Sequence, residues 1–188
     1  GVLRTQLHIA GRHNVGNALA ATACALAAGV SLDVIAQGLH SFEPVKGRSR
    51  AFGIQCQGRD ITVVDDTYNA NPDSVRAAID VLAELPAPRL LVLGDMGEVG
   101  AQSEALHAEV GAYAAQQGVG RLFAVGGLSR AAVVAYQSVG RGEAQHFGSQ
   151  EDLVLALKPK LGAHAVVLVK GSRSSRMENV VNALVEKV

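Results

Sequence analysis

From residue 51 onward the sequence alternates short aliphatic runs with longer stretches of helical periodicity, and that alternation admits few folds. Strand-like runs fall at residues 51–57, 61–64, 90–93, 122–125, 144–147 and 165–169, and helical segments begin near Pro72, Gln102, Leu128, Gln150 and Arg176. Apolar strands separated by helices read as βαβ units, which build a mostly parallel sheet covered on both faces. The first two runs are separated only by Gly58-Arg59-Asp60, a hairpin-sized turn, so that pair is expected to be antiparallel. The predicted fold is α/β: a Rossmann-like domain with a six-stranded, mostly parallel sheet and at least one antiparallel edge. Ser149-x-x-Asp152 and Ser175-x-x-Glu178 read as capping boxes that fix two helix starts.

The segment before residue 47 follows a different rule. Residues 5–10 read as a strand entering the Gly11-Arg12 turn, and Val15, Ala18, Leu19, Thr22, Ala25 and Leu26 follow helical spacing until Gly29. Ser31 is placed to cap a second helix with Val34, Ile35, Leu39 and Phe42 on its inner face. Two helices after one strand do not make an independent domain. Glu43-Pro44-Val45-Lys46-Gly47-Arg48 is punctuated by Pro and Gly and carries no periodicity, so it reads as a linker. The expected domains are residues 1–46 and 47–188.

Charge and composition exclude several classes of function. Lys plus Arg equals Asp plus Glu at 17 each, so no basic field recruits nucleic acid or an anionic membrane. No run reaches the ~18 apolar residues that a transmembrane helix needs, and the opening Gly1-Val2-Leu3-Arg4 is not a signal peptide. Cys24 and Cys56 read as thiols of a reducing cytoplasm, and the six histidines show no metal-ligand spacing.

The chemistry concentrates after the strands. Asp65-Asp66-Thr67-Tyr68-Asn69-Ala70-Asn71-Pro72 joins a β-branched run to a helix whose apolar face is Val75, Ala78, Ile79, Leu82 and Leu85. Asn71 suits the N-cap, Pro72 the first helical position, and Asp73 the positive end of the dipole. In an open α/β sheet, ligands bind beyond the carboxyl ends of the strands, which is where this loop lies. A well-capped loop facing water is the plain alternative. Gly94-Asp95-Met96-Gly97-Glu98-Val99-Gly100 follows a second strand, and Lys170, Ser172, Arg173, Ser174 and Ser175 follow the last. Cations and backbone donors there suit a carboxylate ligand, unless they only hold their own helix dipole. Asn14 and Asn17, one helical turn apart, offer amides that match an adenine edge, although Asn14 alone can serve as a cap. Arg48 follows the linker, where a guanidinium can bind phosphate bidentately or simply be solvated. Glu104 and His107 read as a surface pair of little functional weight.

Asp66-Thr67-Tyr68-Asn69-Ala70-Asn71-Pro72 resembles the start of the C-terminal domain of Mur ligases, the ATP-dependent enzymes that build the peptidoglycan peptide. Gly11-Arg12-His13-Asn14-Val15-x-Asn17-Ala18-Leu19-Ala20-Ala21, Gly47-Arg48, Leu93-Gly94-Asp95-Met96-Gly97-Glu98 and Val169-Lys170-Gly171-Ser172-Arg173-Ser174 match in the family's order, across essentially the whole chain. The likeness is strongest to the branch that adds D-alanyl-D-alanine to UDP-N-acetylmuramoyl-tripeptide; sister branches and folylpolyglutamate synthases vary the Tyr-Asn-Ala-Asn part. The resemblance implies residues 1–46 as the end of a central ATP-binding domain and 47–188 as the C-terminal domain. It implies nucleotide contacts from Asn14, Asn17, Arg48 and Asp66, the last on the ribose. Tyr68, Asn69, Asn71, Asp95, Glu98, Lys170, Ser172 and Arg173 are then expected on the substrate side, in the cleft between domains, with Asp65 structural. ATP and Mg2+ are the implied cofactors, and a cytoplasmic, monomeric enzyme is implied. The phosphate-cradling G-x-x-x-x-G-K-[ST] loop is absent from this sequence, so this stretch is expected to be a C-terminal piece without activity alone. Two other readings fit: a non-catalytic module that binds a nucleotide or nucleotide sugar, and a Mur ligase branch with another amino-acid substrate.

Overall fold

The computed structural model describes residues 1–140 and 142–186. Contacts divide the chain into two units, Gly1–Val45 and Lys46–Val188; the last two residues of the expected second domain lie outside the described residues.

The first unit holds α1 (Arg12–Ala27) and α2 (Leu32–His40). The strand expected at residues 5–10 does not form. Its residues alternate suitably, but among the described residues no strand pairs with them, and an unpaired strand has no ladder to stabilise it. Helix α1 starts at Arg12, after Gly11 at φ +101°, so Asn14 lies inside the first turn and is not the cap. Val15, Leu19 and Leu26 on α1 are exposed, and no α1 residue is buried. On α2 the expected inner face is also only partly covered: Ile35 is buried and Val34 exposed, and Phe42 lies beyond the helix end and is exposed. Ser31 takes the N-cap position, yet its side chain makes no capping bond.

The second unit follows the alternation. Its order is β1 (Arg50–Cys56), β2 (Arg59–Asp66), α3 (Pro72–Glu84), β3 (Arg89–Leu93), α4 (Ser103–Gln116), β4 (Arg121–Val125), α5 (Ser129–Val139), β5 (Glu143–Phe147), α6 (Gln150–Lys160), β6 (Val166–Lys170) and α7 (Glu178–Val185). The six strands line up as β1-β2-β6-β3-β4-β5, with β1 antiparallel to β2 and every other pair parallel. The turn between β1 and β2 is Gln57-Gly58, with φ +50° and +73°, one position earlier than expected. Two left-handed residues match the twist of the flanking strands.

Because side chains alternate across a strand, the central strands feed two cores. Val64, Leu91, Leu93, Leu122, Val166 and Leu168 pack with α3, α4 and α5. Val63, Leu90, Val92, Phe123, Val167 and Val169 pack with α6 and α7. Fully burying each such side chain stabilises by roughly 1.5–3 kcal/mol. Strand β6, between β2 and β3, is buried along its whole length.

Local capping signatures set the starts of two helices of this unit, α3 and α6. Asn71 and Ser74 cap α3 reciprocally: Ser74 N–H donates to Asn71 Oδ1 at 2.8 Å and Asn71 N–H to Ser74 Oγ at 3.1 Å. Ser149 Oγ accepts from Asp152 N–H at 3.1 Å and starts α6 as expected. The Ser175-x-x-Glu178 box does not form. Arg173–Ser175 makes a single 3-10 turn, Arg176 adopts φ +47°, and α7 begins only at Glu178. Ser175 Oγ instead donates to the Asp95 carbonyl at 3.1 Å, a tertiary contact that outcompetes the cap.

Helices α4 and α5 meet closely at Gly111, where a Cβ would overlap the Ala132 carbonyl. Gly111→Ala is therefore expected to lower the unfolding free energy by about 1–3 kcal/mol through overpacking. The midpoint of a denaturant titration checks this; an unchanged midpoint would mean that the helices part freely.

Candidate functional site

Parallel strands β2, β6 and β3 end side by side, with Asp66, Lys170 and Leu93 in register. Their loops therefore converge at the carboxyl edge, the end at which open α/β sheets take ligands. A hollow beside Arg89, Arg121 and Glu143 lies at the opposite, amino edge of β3 to β5.

Asp66 is the hub of the first loop cluster. Its Oδ2 accepts from Lys170 Nζ at 2.6 Å, and its Oδ1 accepts from Ser49 N–H at 2.9 Å and Ser49 Oγ at 3.2 Å. The pair is largely enclosed, the Lys170 side chain being 4% and the Asp66 side chain 15% exposed. Lys170 Nζ also donates to the Asn69 carbonyl at 2.9 Å, which ties the loop to β6. At the carboxyl end of β2, Asp66 thus lies inside an ion pair.

Asp65 points to the other side of the strand and is buried. It accepts from Gly47 N–H at 3.1 Å and from Thr67 Oγ1 at 2.7 Å, a structural role. Gly47 needs its glycine: it has φ +81°, and a Cβ would press on Tyr68 N at 3.2 Å. Tyr68 N–H donates to the Gly47 carbonyl at 3.0 Å. These bonds set the next residue, and the Arg48 guanidinium lies 4.0 Å from the centre of the Tyr68 ring, a cation–π contact between two exposed side chains. Asn69 is exposed and its side-chain oxygen accepts from Ala70 N–H. Asn71 gives its side-chain oxygen to the cap described above.

The second cluster is built on Asp95. Its Oδ1 accepts from Ser129 N–H at 2.7 Å and Leu128 N–H at 3.1 Å, so the carboxylate caps α5 from another loop and meets its positive dipole end. Ser172 N–H donates to the Asp95 carbonyl at 2.8 Å, and the Ser172, Ser174 and Ser175 hydroxyls lie within 3.0 Å of one another through Ser172. Glu98 is exposed at φ +57°. Arg173 is exposed and pairs with Glu178 at 3.1 Å. Two backbone bonds join the clusters: Gly94 N–H to the Lys170 carbonyl at 2.8 Å, and Gly97 N–H to the Ala70 carbonyl at 3.2 Å.

Asn14 and Asn17 belong to the first unit. Asn14 Nδ2 donates to the Ala10 carbonyl at 2.7 Å, and Asn17 Nδ2 donates to Asn14 Oδ1 at 3.1 Å.

Two supporting residues escape a reading of motifs. Ser49, which orients Asp66, carries no signal beyond its place after Gly47-Arg48. His107 is fully buried and is not a surface partner of Glu104. Its Nε2 accepts from Met96 N–H at 2.8 Å and its Nδ1 faces the Ser103 carbonyl at 2.6 Å, which assigns the proton to Nδ1. The ring thereby holds the Asp95 loop from below. Its spacing from Val110 and Ala114, three and seven residues on, was the available signal.

Residues 48–173 match the family model described as Mur ligase, glutamate ligase domain. The chain is 44% identical over 188 residues to the UDP-N-acetylmuramoyl-tripeptide–D-alanyl-D-alanine ligase of Escherichia coli K12, covering 99% of this chain and 40% of that protein. It is similar to a crystal structure of MurF from Acinetobacter baumannii, with a TM-score of 0.83, 36% identity, and coverage of 97% of this chain and 40% of that one. MurF from Thermotoga maritima, solved in complex with ADP, shares the fold at a TM-score of 0.77 and 23% identity, over 94% of this chain and 38% of that one. The chain thus spans about 40% of the length of the curated relatives it matches.

Enclosure of the Asp66–Lys170 pair changes what Asp66→Asn does to the fold. The exchange leaves the Lys170 ammonium without its counter-charge, and is expected to lower the unfolding free energy by about 1–3 kcal/mol. Thermal or denaturant unfolding of the variant checks this; an unmoved transition would mean that water already screens the pair.

Proposed function

Because this chain belongs to the Mur ligase family, we propose that it is part of an ATP-dependent amide ligase that joins D-alanyl-D-alanine to UDP-N-acetylmuramoyl-tripeptide. The observation that carries the proposal is a carboxylate, Asp66, fixed at the carboxyl end of β2 within the Asp-Thr-Tyr-Asn-Ala-Asn-Pro loop. Residues 1–46 are proposed as the end of the central ATP-binding domain and 47–188 as the C-terminal domain. In the reaction, ATP activates the tripeptide carboxylate and the dipeptide's amine displaces phosphate to form the amide.

The residues of this chain bind and orient. An ionised carboxylate offers roughly four lone-pair sites. Asp66 has three in use, on Ser49 N–H, Ser49 Oγ and Lys170 Nζ, which leaves Oδ2 room for one ribose hydroxyl. Arg48 stacks one face on Tyr68, and this arrangement leaves its N–H edge for a phosphate. The mutual bond of Asn14 and Asn17 preorients two amides for an adenine edge. Tyr68, Asn69, Asp95, Glu98, Ser172 and Arg173 are proposed on the substrate side. Asn71 contributes there only through its amide nitrogen, and Asp95 only through Oδ2, because their other atoms cap helices.

Magnesium is proposed to accompany ATP in the complete ligase; among the described residues no group of three or more His, Cys, Asp or Glu is arranged to hold a metal ion. No described helix is long and apolar enough to cross a membrane. A cytoplasmic site of action and a monomeric state complete the proposal, with roles in peptidoglycan synthesis and hence in cell shape and division.

In the ligase that contains this chain, Arg48→Ala is expected to lower kcat/KM for ATP by at least about tenfold, the scale of one charged hydrogen bond. Circular dichroism should show the domain still folded, since the guanidinium is exposed. Unchanged kinetics would return Arg48 to a solvated linker residue.

A further inference from the structure

Lys170 was expected to meet an incoming carboxylate, and its surroundings point elsewhere. Its ammonium stands at the end of the central strand with the side chain 4% exposed. Two of its three N–H donors already have partners, Asp66 Oδ2 at 2.6 Å and the Asn69 carbonyl at 2.9 Å. Removing an ammonium from water costs several kcal/mol, offset only by a close counter-charge and by further hydrogen bonds. Turning Lys170 toward a ligand would forfeit both contacts and leave Asp66 without its nearest cation.

We infer that Lys170 is a positioning residue for nucleotide use: it orients the Asp66 carboxylate and, through it, the segment that carries Arg48, without itself touching the dipeptide. This rests on the reading of Asp66 as the ribose contact. The path is continuous. Lys170 fixes Oδ2 of Asp66, and Oδ1 of the same carboxylate holds both the N–H and the hydroxyl of Ser49. Ser49 adopts φ +50°, a left-handed conformation costly for a residue with a Cβ, and the carboxylate compensates for that cost. Arg48 is the preceding residue, and its guanidinium stacks on Tyr68 of the loop that Lys170 anchors through Asn69. One ammonium therefore governs the placement of the two nucleotide contacts proposed in the second unit, Asp66 and Arg48. A lysine that acted as an acceptor-side ligand would influence the other substrate instead.

The test is a double-mutant cycle in the ligase that contains this chain, with KM measured separately for ATP and for D-alanyl-D-alanine. Lys170→Met is expected to raise the ATP KM about tenfold, as loss of a charged hydrogen bond would, and to leave the dipeptide KM within about twofold. Placed on Asp66→Asn, it should add little, because the second substitution acts through the first residue. Lys170→Gln, which retains a donor for the Asn69 carbonyl, gives the same reading if the methionine variant does not fold. An effect confined to the dipeptide KM would overturn the inference and restore Lys170 as a direct ligand. Full additivity of the two substitutions on the ATP KM would overturn it as well. An unchanged ATP KM in Asp66→Asn alone would overturn the ribose reading itself, a result distinct from failure at Lys170.

Discussion

Strand β6 is the last strand in sequence but lies between β2 and β3, and neither neighbour has a complete ladder until residues 166–170 arrive. The centre of the sheet, and the contacts that Lys170 and Ser172 make across the carboxyl edge, depend on that insertion. Lys170 and Asp66 are 104 positions apart in sequence yet share an ion pair. Closing so long a loop costs conformational entropy before any contact repays it. The return comes from five consecutive buried residues, Val166 to Lys170, the first four of which feed aliphatic side chains to both cores. Once β6 is seated, its backbone fixes the start of the Asp95 loop at Gly94 and its terminal ammonium fixes the Asp66 loop. The site is thus a consequence of sheet closure.

That dependence explains what the sequence made legible. Parallel strands covered on both faces appear as unbroken aliphatic runs, which made β3, β4 and the central Val166–Lys170 plain, whereas the edge strands β1 and β5 are more polar and showed only through the alternation around them. Asn71-Pro72-Asp73 was legible because a cap is settled within four residues. Where a tertiary partner intervenes, local signals mislead. Ser175 has the spacing of a capping residue but bonds the Asp95 carbonyl, on a loop 80 positions away. Residues 5–10 have the pattern of a strand without a neighbour to pair with. The turn after β1 shifted by one residue because Gln57, which carries a Cβ, took a left-handed conformation that residue type alone does not announce.

The same reasoning separates the site residues. Motif resemblance selected Asp66, Asp95 and Lys170 as chemistry-bearing, but it could not distinguish groups that face a ligand from groups that hold the loops. The contacts do distinguish them. Asp95 neutralises the start of α5, Lys170 neutralises Asp66, and Asp65 clamps Gly47. Arg48, Tyr68 and Asn69 remain exposed above that frame. Buried charges here set the positions of exposed ones, an arrangement that lets a loop-borne site keep its geometry.

The most direct test is a crystal structure of the complete protein with a non-hydrolysable ATP analogue and D-alanyl-D-alanine, the ligands proposed for it. A ribose hydroxyl is expected within hydrogen-bonding distance of Asp66 Oδ2 while Lys170 Nζ keeps its contacts to Asp66 and to the Asn69 carbonyl. A ribose held by other residues, with the Lys170 ammonium swung onto the dipeptide carboxylate, would contradict it.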